Sequence, residues 1–176
     1  MKGVFVICLE ELACKRWGAD VWGRALQRAG MEGDEMFVAT RDVPDELAMG
    51  MFEAVCREAG IERSELAGEF GRYWIDEFAP RFYRMYYECV ASVREFLLQL
   101  DEVHRQTTEF IAGADPPRFE YEWKDDDLLE MRYVSSRGLL DFAAELVASA
   151  GRHFGEPLDV TRIGEDRLRI RFSQPG

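Results

Sequence analysis

Basic residues are scarce in this chain, and their scarcity excludes several kinds of partner. The 22 lysines and arginines are outnumbered by 34 aspartates and glutamates, so the formal net charge is −12 at pH 7. A surface with this excess of negative charge repels phosphate backbones and anionic membranes. We therefore expect no nucleic-acid partner and no membrane partner.

Long hydrophobic runs, a leader pattern and metal-binding cysteine pairs are also missing. No apolar run approaches the ~20 residues of a membrane span, and the short apolar stretch near the N-terminus meets acidic residues before any small-residue cleavage site. The four cysteines form no Cys-x-x-Cys pair and lie apart from the two histidines. Neither a zinc site nor a disulfide framework is indicated. These absences predict a soluble cytoplasmic protein with reduced thiols.

The chain has a hydrophobic content of 47% over 176 residues, which suits one globular domain. Helical spacing of apolar residues dominates up to about residue 112. The pattern predicts a first helix over 4–16, a second from after Asp20 to Gly30, a third with Pro44 in its first turn and a stop at Gly60, and a fourth with Ser64 as its N-cap.

Aromatic residues recur at every fourth position along the fourth predicted helix, at Phe70, Trp74, Phe78 and Phe82. This spacing places them on one helix face. Such a ladder belongs either to a hydrophobic core or to the wall of a cofactor pocket, and the spacing alone does not distinguish the two.

A fifth helix is predicted over about 92–112, and its apolar stripe contains His104 where a leucine would be expected. A neutral imidazole on such a face could ligate iron through one ring nitrogen while the other donates a hydrogen bond. The alternative is a core histidine with a hydrogen-bonded partner.

After Pro116 and Pro117 the periodicity changes to strand alternation interrupted by one helix. We expect strands over 119–123, 128–135, 157–163 and 167–172, and a helix over 138–154. The sequence thus predicts an α+β fold: a single domain, 1–176, in which an N-terminal helical part (about 1–112) packs on a C-terminal part (about 113–176) with an antiparallel sheet and helices.

A polar row follows the second predicted strand: Tyr133, Ser135 and Arg137 alternate in sequence. If the strand continues through them, their side chains project from one face. A guanidinium and two hydroxyls suit a ligand with two adjacent carboxylates, such as haem propionates. The alternative is a solvent-facing strand edge.

Together these features resemble the haem nitric oxide/oxygen-binding domains, abbreviated H-NOX, which are related to the sensor domain of soluble guanylate cyclase. The resemblance covers essentially the whole chain. It is carried by Met1-Lys2-Gly3, Asp101-Glu102-Val103-His104, Gly113-Ala114-Asp115-Pro116-Pro117-Arg118 and Tyr133-Val134-Ser135-Ser136-Arg137.

The resemblance implies haem b (iron protoporphyrin IX) buried between the two parts of the chain. His104 would be the axial ligand of the iron, Tyr133, Ser135 and Arg137 would bind the propionates, and Pro117 would press on the porphyrin. The remaining residues implied to contact haem are Phe5, Leu9, Trp74, Phe78, Phe142 and Leu146.

The resemblance also bears on the choice of gas. Oxygen-binding members use a tyrosine supported by a tryptophan and an asparagine, and the matching positions here hold Phe142, Leu9 and Trp74. Bound oxygen gains from a hydrogen bond, whereas nitric oxide binds ferrous iron strongly without one. We therefore expect nitric oxide sensing, carbon monoxide binding and weak or no oxygen binding, unless the Trp74 indole donates inward.

The implied role is that of a sensor without catalytic activity. Gas binding would release His104 and move its helix, and a separate histidine kinase or cyclic-di-nucleotide enzyme would receive the signal. Two alternatives remain at this point. One is a haem enzyme of peroxidase type, for which no distal acid–base residue is found; the other is a haem-free carrier of apolar ligands.

Overall fold

The computed structural model describes residues 3–31, 36–111 and 115–173. These residues form two compact units. The first comprises Met1–Tyr73 with Phe110–Asp115, and the second comprises Trp74–Glu109 with Pro116–Gly176. The change in composition near residue 112 therefore does not coincide with the boundary between the units, because several helices before it pack with the strands.

The first unit is helical, as predicted. Its core contains the side chains of Leu9, Leu12, Met51, Phe52 and Phe70, all of which are fully buried. The helices are α1 Gly3–Trp17, α2 Ala19–Arg28, α3 Asp45–Ala59 and α4 Arg63–Tyr73.

All four predicted helix starts in this unit are wrong by one or two residues. Helix α1 begins at Gly3 instead of residue 4, and α2 begins at Ala19 instead of after Asp20. Pro44 is the N-cap of α3 and not part of its first turn, and Ser64 lies inside α4, which begins at Arg63. The backbone of Gly3 lies so close to that of Val38 that a Cβ atom at residue 3 would collide with the Val38 carbonyl oxygen. Glycine is thus required where α1 meets the 38–41 turn.

The second unit combines helices with one antiparallel sheet, and the predicted α+β class is confirmed. The strand order is β1-β2-β4-β3. Its elements are a π-helix over Trp74–Phe78, then α5 Ala79–Phe82, α6 Arg84–Glu88, α7 Val93–Thr108, β1 Arg118–Asp125, β2 Leu128–Val134, α8 Leu140–His153, β3 Leu158–Arg162 and β4 Arg167–Phe172.

The prediction that the aromatic ladder lies along one continuous α-helix is wrong. Phe70 packs on Phe5, with ring centroids 4.9 Å apart, in the first unit, whereas Trp74 and Phe78 belong to the π-helix of the second. Pro80 follows in the first turn of α5 and has no N–H to donate to the carbonyl four residues earlier. This missing donor favours a local departure from α-helical hydrogen bonding.

The sheet is buried on one face, as its alternation predicts. In β4 the side chains of Leu168, Ile170 and Phe172 are buried while Arg169 and Arg171 are exposed. Arg169 pairs with Glu130 of β2 at 2.9 Å, and Arg171 pairs with Asp127 of the β1–β2 turn at 3.3 Å. Helix α8 covers part of the apolar face, so the sheet and α8 pack as two layers.

Among the described helices, none combines the length and the hydropathy that crossing a lipid bilayer requires.

Candidate cofactor site

Helix α7, which carries His104, begins after Ser92, which is its N-cap. The Ser92 hydroxyl accepts a hydrogen bond from the Glu95 N–H at 3.2 Å, and the Glu95 carboxylate accepts one from the Ala91 N–H at 2.8 Å. The two side chains thereby satisfy N–H groups at the helix start that have no intrahelical acceptor.

The other end of α7 lies at Thr108, four residues before the predicted end at 112. The hydroxyls of Thr107 and Thr108 donate to the carbonyl oxygens of Val103 and His104 at 2.8 and 2.6 Å. Threonine hydroxyls that bind the preceding turn compete with continued helical bonding. The predicted apolar stripe is otherwise present, since Val93 and Leu97 are buried and His104 is half-buried.

The imidazole of His104 is oriented by its own helix. Its Nδ1 lies 2.7 Å from the Leu100 carbonyl oxygen, and a carbonyl oxygen can only accept, so Nδ1 carries the proton. In the neutral ring the lone pair then belongs to Nε2. Metal-binding histidines commonly have this arrangement, in which one ring nitrogen donates to a carbonyl and the other ligates. The donor chemistry of His104 therefore fits a haem iron.

Strand β1 holds α7 next to Pro117. Asp101 accepts two hydrogen bonds from the Arg118 guanidinium, at 2.7 and 2.6 Å, and a third from the Phe119 N–H at 2.9 Å. The hydrogen bonds from Arg118 hold the pKa of the Asp101 carboxyl below its ordinary value. One turn earlier, the Tyr121 hydroxyl donates to the Leu97 carbonyl oxygen at 2.6 Å. These contacts fix α7 along the first half of β1.

Aromatic rings connect His104 to the residues at the end of β2. The Phe119 ring lies between the rings of His104 and Tyr133, with centroid distances of 5.3 and 5.9 Å. Phe119 was not among the predicted site residues. The sequence feature that could have indicated Phe119 is its position in an alternating strand, directly after Pro117 and Arg118.

Tyr133, Ser135 and Arg137 do not form a row along one strand. Strand β2 ends at Val134, so Tyr133 is a strand residue whose side chain is only 7% exposed, while Ser135 and Arg137 lie in the segment that follows. The Arg137 N–H donates to the Ser135 hydroxyl at 3.3 Å, a local turn contact typical of serine. The predicted strand end at 135 was one residue too late.

The other predicted contact residues fall on three elements. Phe5 and Leu9 are buried in α1 of the first unit. In the second unit, Trp74 and Phe78 are neighbours in the π-helix, with ring centroids 5.3 Å apart. Phe142 and Leu146, both half-buried, lie one turn apart on α8.

Two half-buried tyrosines that contact α7, Tyr87 and Tyr121, differ in their hydrogen bonding. Burial raises the pKa of both Tyr87 and Tyr121 above the ordinary value. Tyr121 donates to Leu97, whereas the buried Tyr87 hydroxyl has no hydrogen-bond partner among the described residues. An unpartnered buried hydroxyl lowers stability, and a satisfied one contributes to it.

We expect Tyr121→Phe to lower the free energy of unfolding by about 1 kcal/mol, because the Leu97 contact is lost. Tyr87→Phe is the matched control and should leave stability unchanged or raise it, since only an unpartnered hydroxyl is removed. Urea unfolding followed by circular dichroism measures both. Equal losses in the two variants would contradict the assignment of the Tyr121 hydrogen bond.

Comparison with known proteins gives a consistent family match. Residues 2–162 match the sequence model of a family described as Haem-NO-binding. No curated protein gives a significant match.

Three solved structures show the extent of the similarity. An H-NOX variant labelled Cs, carrying the unnatural residue 4-cyano-L-phenylalanine, is 30% identical with a TM-score of 0.89, covering 99% of this chain and 98% of that one. An oxygen-binding H-NOX domain related to soluble guanylate cyclases, in its oxygen complex, is 30% identical with a TM-score of 0.87 and coverage of 99% and 96%. A T. tengcongensis H-NOX variant is 30% identical with a TM-score of 0.88 and coverage of 99% of both chains.

Proposed function

Because the chain belongs to the Haem-NO-binding (H-NOX) family, whose members are haem-based gas sensor domains and not enzymes, we propose that it binds nitric oxide at haem b and signals to a separate effector protein. The observation that carries this proposal is the hydrogen bond from His104 Nδ1 to the Leu100 carbonyl oxygen at 2.7 Å. It presents Nε2 as the basic nitrogen of a half-buried ring, which is what an axial iron ligand requires.

Haem supplies a ferrous iron that binds diatomic gases. The chain's part is to hold and orient that group. His104 would be its ligand, and the Arg137 guanidinium with the Tyr133 and Ser135 hydroxyls would bind the two propionates. Pro117, rigid and followed directly by the Asp101–Arg118 ion pair, would bear on the porphyrin.

The residues that the family resemblance assigns to the gas-binding wall are apolar. Phe142, Leu146, Leu9, Phe5 and Phe78 provide no hydrogen-bond donor from their side chains, and among the assigned residues Trp74 alone has a side-chain N–H. Oxygen gains more than nitric oxide from a donor. The side-chain chemistry therefore supports binding of nitric oxide and carbon monoxide over oxygen.

Helix α7 is the element suited to transmit the signal, since it carries the proposed ligand and has several exposed residues on its outer face, among them Glu102 and Arg105. A partner that binds two positions of α7 with different affinity would read gas binding as a shift in population. We propose a separate histidine kinase or cyclic-di-nucleotide enzyme as that partner, and a single sensor domain in the cytoplasm.

Replacing His104 tests the proposed ligand. We expect His104→Gly to lose haem, because the iron loses its protein bond, and to regain it when imidazole is added. His153→Gly is the control: that ring pairs with Asp76 at 3.0 Å and should be dispensable for haem binding. Absorption spectra of the purified, reduced proteins measure haem content. A haem-loaded His104→Gly protein with the wild-type spectrum would contradict the assignment, and wild-type protein that cannot be loaded with haem would favour an apolar-ligand carrier.

A donor introduced on the gas side tests the proposed selectivity. We expect Phe142→Tyr to increase oxygen affinity at least tenfold, because a hydroxyl there could donate to bound oxygen at about 1.4 kcal/mol or more. Phe110→Tyr, at a phenylalanine that is 93% exposed, should have no effect. Oxygen titration of the reduced proteins is the measurement, and a tight oxygen complex already in wild type would contradict the proposed preference.

A further inference from the structure

Helices α7 and α8 are connected by a contact set remote from the proposed iron ligand. The Glu156 carboxylate accepts a hydrogen bond from the N–H of Val93, the first residue of α7, at 3.1 Å. Phe96 of α7 packs on Phe154, just beyond α8, with ring centroids 5.3 Å apart. Tyr87 packs on the other side of Phe96 at 5.0 Å. We refer to Tyr87, Val93, Phe96, Phe154 and Glu156 as the helix joint.

The backbone after α8 holds Glu156 in place. The Phe154 and Gly155 N–H groups donate to the carbonyls of Ala150 and Arg152, both at 3.1 Å, and the Glu156 N–H donates to the Gly151 carbonyl at 2.8 Å. Gly155 has a φ of 71°, the left-handed conformation that glycine adopts readily at a helix end. A side chain at Gly151 would collide with Leu158, so the turn lies directly against the start of β3.

A carboxylate at this position acts on α7 in two ways. It satisfies an N–H that has no acceptor within the helix, and its charge is favourable at the positive end of the helix dipole. Three side chains therefore hold the first turn of α7, namely those of Glu156, Ser92 and Glu95. The first turn is therefore held at the helix joint, and strand β1 holds the helix further along, at Leu97 and Asp101.

The helix joint contacts α7 at its first turn, and His104 lies further along the same helix. His104 follows Val93 by eleven positions, which corresponds to about 16 Å along the axis. Because β1 also holds Leu97 and Asp101, a change at the joint would reach the imidazole as a tilt of α7 on β1. A tilt of a few degrees over this length corresponds to about 1 Å. Glu156 belongs to the segment that ends α8, and α8 carries Phe142 and Leu146 of the proposed gas-binding wall.

We propose that Glu156 is a positioning residue that couples α8 to α7, so that its hold on the first turn of α7 would influence how firmly His104 could ligate the iron of bound haem. This inference rests on the proposed function and adds to it a residue outside the set proposed to contact haem. The charge of Glu156 and its hydrogen bond both contribute to holding the first turn of α7. The two contributions can be separated, because glutamine removes the charge and keeps a hydrogen-bond acceptor.

Three variants of the haem-loaded protein test the proposal. Glu156→Ala removes the charge and the acceptor, Glu156→Gln keeps an acceptor of the same size, and Glu165→Gln removes an exposed carboxylate of the β3–β4 loop as the matched control. The ratio of five- to six-coordinate iron after addition of nitric oxide, read by absorption and electron paramagnetic resonance, is the first readout. We expect the ratio to rise severalfold for Ala and less for Gln, with no change in the control.

Amide hydrogen exchange at Val93 provides a second readout that is independent of gas. Protection should fall in the order wild type, Glu156→Gln, Glu156→Ala, and should be unaffected by Glu165→Gln. Glu156 variants with normal haem content and an unchanged coordination ratio would overturn the proposal, even if they were less stable. If the Glu156→Ala protein does not fold, the isosteric Glu156→Gln protein is tested by the same coordination ratio at normal haem content. Wild-type protein that takes up no haem would instead contradict the proposed function. Amide exchange at Val93 would then still test whether Glu156 holds the first turn of α7.

Discussion

The candidate site depends on a hydrogen bond from a side chain to the backbone of its own helix. His104 Nδ1 lies 2.7 Å from the carbonyl oxygen of Leu100, one turn earlier. Because that oxygen can only accept, the bond determines which ring nitrogen carries the proton and in which direction the other one points. Every further role proposed for this chain assumes an imidazole held in that tautomer.

The ring can keep its orientation only if its helix is held in place. Strand β1 does this through Asp101–Arg118, the Phe119 N–H and the Tyr121 hydroxyl. The Arg118 side chain is 54% exposed, and ion pairs of this kind contribute at most about 1 kcal/mol to stability. Their importance is thus positional, since they place α7 next to Pro117. Two sets of contacts, along β1 and at the helix joint, define where His104 lies in the second unit.

Local patterns predicted the elements that carry the site. The stripe that contains His104 predicted α7, and the alternation of 167–172 predicted β4 with its boundaries. What local patterns could not supply were partners distant in sequence, such as Asp101 with Arg118 or Val93 with Glu156, because either carboxylate could equally have been solvated. The aromatic ladder failed as a single helix face because Pro80 removes a backbone donor within it. The polar row failed as a strand face because Ser135 begins a turn.

The absorption spectrum of the reduced protein, recorded before and after addition of nitric oxide, tests the central claim most directly. If His104 is held as described, reduced protein should contain five-coordinate ferrous haem with a histidine ligand, and nitric oxide should change that spectrum at stoichiometric amounts. Ferrous haem that is six-coordinate before any gas is added, or a spectrum indifferent to nitric oxide, would contradict the account.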